Sequence, residues 1–163
     1  MTKFLLAVHV LAAIVAVGPV TVAASLFPPT ARKALARGGE DRHHLGLLHR
    51  ICRVYAVVGV VVPAFGFATA RAMGVLGDTW LIVSIVLTAL AAVVLAALVL
   101  PWQQAVIDGV SERVGEGVGE KAGEGTAAAR ATVRLAMVTG IFNLLWAAVT
   151  VLMIVRPGST TGA

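Results

Sequence analysis

Charge is the first thing this sequence lacks. Only 13 % of its 163 residues are Asp, Glu, Lys or Arg, about half the share of an ordinary soluble domain. The single cysteine, Cys52, excludes an internal disulfide and a thiolate-rich metal centre. There is no repeated motif and no nucleotide-binding glycine pattern. What remains is apolar: 59 % hydrophobic residues, with a mean hydropathy of +0.94. The few charges cluster between long apolar runs, the pattern of a polytopic membrane protein. At this length the chain is one domain.

The formal net charge of +5 raises nucleic acid as a partner. Distribution argues against it, because the basic residues flank apolar runs long enough to span a bilayer. A hydrocarbon core of about 30 Å needs about 20 helical residues. Four segments meet that length, at about 4–27, 53–73, 79–100 and 135–155. Pro28-Pro29 is expected to end the first, Pro101 the third and Arg156-Pro157-Gly158 the fourth. The first run, which contains Pro19, is too long for a signal-peptide core, so it is read as a retained span despite the cleavage-like Val22-Ala23-Ala24.

Basic residues set the direction. The connections 28–52 and 102–134, with their edges, hold Arg32, Lys33, Arg37, Arg42, Arg50, Arg53, Arg113, Lys121, Arg130 and Arg134. Only Lys3, Arg71 and Arg156 lie at the other ends. Both connections are therefore expected in the cytoplasm and both termini outside. The fold class that follows is an all-α integral membrane antiparallel four-helix bundle.

Helices in lipid associate through small and hydrogen-bonding residues. Such stripes are His9, Ala12, Ala13, Ala16 and Ala23; Tyr55, Gly59, Pro63 and Gly66; Ser84, Thr88 and Ala91; Thr139, Asn143, Trp146 and Thr150. All are expected to face inward. Asn143, near the middle of its span, must find a partner. An interhelical bond to Thr88 or Ser84 is the plain expectation, and lining a ligand cavity is the sharper one.

His9 is the ionisable residue within a span, so it is a functional candidate by default. It can be structural, bonding a neighbouring helix or reaching headgroups. It can also be an axial haem ligand or a copper ligand, with Met153 or Met73 at a similar depth opposite it. His49 and Met137 form a second pair at the other boundary. The cluster His43, His44 and His49 does not share one helical face and is flanked by Arg42 and Arg50. It reads better as a solvated basic edge that attracts anionic headgroups than as a metal site. Residues 108–125 repeat Glu112, Glu116, Glu120 and Glu124 among Gly115, Gly117, Gly119, Gly123 and Gly125. Their first turns can extend the third span, and the glycines favour a mobile linker beyond.

The stretch HVLAAIVAVGPV from His9, followed by a basic loop and three further spans, resembles a family of bacterial integral membrane proteins of unknown function. Its Ala- and Val-rich style is similar to high-GC actinobacterial members. More distantly, the first span resembles CopD-like copper-resistance proteins and HemJ-type protoporphyrinogen oxidases. That resemblance implies His9 as a haem or copper ligand and Gly18 as a packing position. This chain differs in carrying Val17 where an aromatic residue often precedes the glycine, and Pro19 after it.

The leading expectation is a bacterial inner-membrane protein without its own catalysis, an accessory or scaffold subunit. It would meet the lipid bilayer, other membrane proteins or further copies of itself. The second is a haem b-binding, redox-active protein with His9 as axial ligand. The third is a small transporter or metal-handling protein, ranked lower because no charge lies mid-span and no inverted repeat is evident.

Overall fold

The computed structural model describes residues 2–37, 41–115 and 122–158. Its helices are α1 (Thr2–Ala36), α2 (Arg42–Gly59), α3 (Val61–Met73), α4 (Thr79–Val93), a π-helical segment (Val94–Val99), α5 (Leu100–Gly115) and α6 (Ala122–Val155). They form four long rods, since α2 continues into α3 and α4 continues through the π segment into α5. The chain is all-α, and four of its helices are long and apolar enough to cross a membrane. Consecutive rods pack antiparallel, with α1 against α2, α3 and α6, α6 against α4, and α2 against α5.

The rods outrun the apolar segments. Pro28 and Pro29 do not end α1, which carries Pro19, Pro28 and Pro29 inside it and runs on to Ala36. Each proline removes one helical hydrogen bond, but tertiary packing grips the helix on both sides of the pair. Phe27, Ala31 and Ala34 are all buried in the main core with Leu45 and Cys52 of α2. Likewise α2 begins at Arg42, and α5 carries the third rod beyond Pro101. The segment expected to be a loop from 28 to 52 is therefore mostly helix, in α1 as far as Ala36 and in α2 from Arg42. Of the glycine-rich stretch, α5 takes the part up to Gly115, and α6 already includes Gly123 and Gly125. There Ala122 and Ala127–Ala129 favour helix, offsetting the glycines. The expectation for residues 116–121 lies outside the described residues.

Two irregularities have proline causes. Pro63 has no N–H for the carbonyl of Gly59 and its ring crowds it; the second rod accordingly breaks at Val60, whose N–H shifts to Val57 O at 3.1 Å. In the third rod, Leu100 N–H bonds Leu95 O, one residue further back than in an α-helix. This wider winding lies immediately before Pro101, where the ring must clear the preceding turn.

The turn between α3 and α4 is closed by Gly74, at φ +72°. Its N–H bonds Arg71 O, and Val75 N–H bonds Ala70 O, so a left-handed residue, natural to glycine, seals the helix end. Two apolar cores result. The larger joins α1, α2, the π segment, α5 and α6 around Phe27, Leu45, Leu135 and Phe142. The smaller joins Ala70, Trp80 and Leu81, with Val75 and Met153 packed on it.

Candidate functional site

Buried polar side chains in an apolar bundle must be accounted for one by one. His9 is buried between α1 and α3. Its Nδ1 lies 3.1 Å from Val62 O. A carbonyl can only accept, so Nδ1 carries the proton and donates. The approach is permitted by Gly66: a Cβ there would stand 2.8 Å from His9 Cε1, 3.3 Å from Nδ1 and 3.6 Å from Nε2. The ring therefore places its two-nitrogen edge against the backbone of α3, at the point where Pro63 distorts that helix.

Among the described residues neither Met73 nor Met153 forms a hydrogen bond with His9. Met73 lies seven residues beyond Gly66 on the same rod, about 10 Å along the axis. Met153 packs on the Ala70–Trp80–Leu81 cluster, one helical turn beyond Gly66. Arg156, just past α6, donates from Nε to Met153 O at 3.2 Å. Its guanidinium sits 5.7 Å from the Trp80 ring centroid, within cation–π range. Trp80 Nε1 in turn donates to Asp78 Oδ2 at 3.0 Å.

Asn143 finds neither Thr88 nor Ser84. Its Nδ2 donates to Ser25 Oγ of α1 at 3.0 Å. Ser84 and Thr88 instead bond backward within their own rod, to Trp80 O at 2.8 Å and Ser84 O at 2.7 Å. A local bond of this kind orders no second helix and so wins over a longer reach. Asn143 Oδ1 and Thr139 Oγ1 are buried without a partner among the described residues. The two share one face of α6, four residues apart, on the side where Asn143 meets α1.

A third polar group was not anticipated from the sequence. Gln103 of α5 is fully buried. Its Oε1 accepts from His49 Nδ1 at 3.1 Å, and its Nε2 lies 3.6 Å from Cys52 Sγ. His49 thus leaves the exposed His43–His44 edge and is tied to α5. Met137, its suggested partner, is 65 % exposed and points away from the core. His44 lies 3.6 Å from Asp41. Beside His49, an open depression of about 480 Å³ is lined by His49, Arg50, Arg53, Val54 and Val57.

Of the expected inward stripes, His9, Ala16, Ala23, Ser84, Ala91 and Thr139 are buried, while Pro63 and Thr150 are exposed. Among the described residues, no three His, Cys, Asp or Glu side chains gather to hold a metal ion.

Comparison of the chain with protein-family models, curated proteins and solved structures gives no match.

Proposed function

We propose that this is an integral membrane protein of a bacterial inner membrane with no catalytic site of its own, acting as an accessory or scaffold subunit that packs against larger membrane partners. Both termini lie outside, and the basic ends of the helices lie in the cytoplasm. Support for the membrane comes from exposure. In the most apolar stretch of each of the first two rods only 11 % of residues are buried. Phe4, Val57, Leu144 and Ile154 are each more than 70 % exposed. An apolar surface this extensive is far beyond the few hundred Å² of a soluble monomer.

The observation that carries the non-catalytic reading is where the polar groups go. His9 is bonded to Val62 O, Asn143 to Ser25, and Gln103 to both His49 and Cys52. These are bonds that hold helices together, and none of them pairs an acid or base with a nucleophile.

The second reading is haem ligation by His9. One observation favours it: donation from Nδ1 to a backbone carbonyl leaves the Nε2 lone pair as the ligating position. The same chain would then need an opposite ligand, for which Met153 and Met73 are the candidates. The test is to purify the protein from native membranes in mild detergent. Visible spectra are recorded before and after dithionite, beside His9→Ala, and the assembly is sized. The accessory reading expects no His9-dependent Soret band and an assembly heavier than the 16.8 kDa chain. A Soret band lost in His9→Ala would replace it with the haem reading. A lone monomer without haem would defeat both.

A further inference from the structure

We infer that the depression beside His49 is a binding site for an anionic phospholipid, which seats its phosphate on Arg50 and Arg53 and its upper acyl chain on Val54 and Val57. The inference rests on the membrane reading above and adds a ligand to it.

Four of the lining residues fall at i, i+3, i+4 and i+7 along α2, so they make one continuous face. The face changes character along its length. Arg50 and Arg53 are exposed, and neither has an ion pair or hydrogen bond among the described residues. One turn on, Val54 and Val57 are 51 % and 71 % exposed. A soluble ligand has no use for that sequence of surfaces, but a phospholipid has its anion and its hydrocarbon in the same order.

The depth agrees. Seventeen residues, 54 to 70, separate Arg53 from Arg71, which is about 25 Å of helix. A hydrocarbon core of about 30 Å therefore places Arg53 at its edge, and places Arg50 one turn out among headgroups. Side chains on a helix lean toward its N-terminus, so both guanidinium groups lean toward the polar side. Guanidinium matches phosphate with two parallel donors.

The third polar wall is held rigidly. Gln103 accepts from His49 Nδ1, so the imidazole is anchored to α5 while the residue stays half-exposed to the depression. The depression is open rather than enclosed, as a site filled from the surrounding bilayer must be. A charged rim, an aliphatic floor and a ring tied to α5 thus line one face of α2.

The experiment begins with the full chain in nanodiscs holding phosphatidylglycerol and phosphatidylcholine in equal amounts. The protein is then exchanged into nonionic detergent and its retained lipid counted by mass spectrometry. The wild type is expected to retain phosphatidylglycerol preferentially. Arg50→Gln and Arg53→Gln should each weaken the preference about fivefold, and both together about 25-fold. Arg42→Gln, on the same helix but outside the depression, should change it less than about twofold.

An equal loss in Arg42→Gln would show a diffuse basic edge and overturn the site. Retention unaffected by the double variant would overturn it too. A rise in the wild type's thermal midpoint with millimolar inorganic phosphate as large as with phosphatidylglycerol would mean that the site takes phosphate alone, against the lipid assignment. If the double variant fails to assemble, the wild type's thermal midpoint decides. Added phosphatidylglycerol should raise it where phosphatidylcholine does not, and an equal response overturns the inference. Release of the chain from membranes by alkaline carbonate would defeat the membrane reading itself, and would be seen before any lipid is counted.

Discussion

His9 and Gly66 act as one unit although 57 positions separate them. The imidazole reaches Val62 O only because α3 presents no side chain where the ring lies. A methyl group at position 66 would stand 2.8 Å from Cε1, closer than packed atoms tolerate. Gly66→Ala must therefore push the ring off its acceptor, combining overpacking with a lost buried hydrogen bond. We expect a loss of about 2–3 kcal/mol, read as a lower thermal midpoint in detergent. Gly18→Ala, with nothing within 4 Å of its Cβ position, should be close to neutral. In His9→Ala the clash is already gone, so adding Gly66→Ala there should cost less than it does alone. Additive losses would show that the two residues do not bear on each other. The sequence marked His9 as out of place in an apolar run and put Gly66 on a contact stripe. That the two meet depends on the rotation of α1 against α3, which no local pattern encodes.

At the scale of elements, helix-breaking residues changed the winding more than they ended helices. α1 continues through Pro28-Pro29 because Phe27, Ala31 and Ala34 are buried on either side. The second rod slips at Val60 before Pro63, and the third widens into a π segment before Pro101. Beyond that segment Gln103 faces the core, where it links α5 to α2 through His49 and Cys52. Gln103→Leu keeps most of the volume but strands both partners. It should cost about 1–2 kcal/mol and make Cys52, now fully buried, alkylate faster in the folded protein. An unchanged midpoint together with an unchanged thiol rate would mean that the amide bonds contribute nothing to the α2–α5 contact. Gln103 escaped the sequence reading because it follows Pro101, in what counted as loop. A glutamine just past an apolar run carries no periodic signal of burial.

For the whole molecule, the decisive property is an apolar exterior wrapped around a modest core. Four antiparallel rods put the six basic residues Arg32, Lys33, Arg37, Arg42, Arg50 and Arg53 at one end of the bundle. Arg71 and Arg156 lie at the other end, with Arg156 over Trp80, whose Nε1 bonds Asp78. With Cys52 replaced by Ser, a cysteine at Pro157 should react with an impermeant maleimide in intact cells. One at Glu112 should react only after lysis. The reverse pattern would invert the proposed topology, and labelling of both in intact cells would argue against insertion altogether.

Composition and the spacing of charges are sufficient, by themselves, to determine four apolar helices, their antiparallel succession and the grouping of basic residues at alternate ends. Those are consequences of hydrophobic length and chain connectivity, which are one-dimensional properties. The sequence also singles out His9 and Asn143, since a polar group in an apolar run needs a partner whatever the fold. Tertiary structure alone decided their hydrogen-bond partners: Val62 O for His9, and Ser25 rather than Thr88 or Ser84 for Asn143. It also decided that helices survive paired prolines, and that His49 turns from an exposed edge toward Gln103. Hydrogen bonds between rods depend on relative rotation and axial offset to within a few tenths of an ångström. Such offsets are set by the packing of many small apolar side chains together, and no single residue announces them.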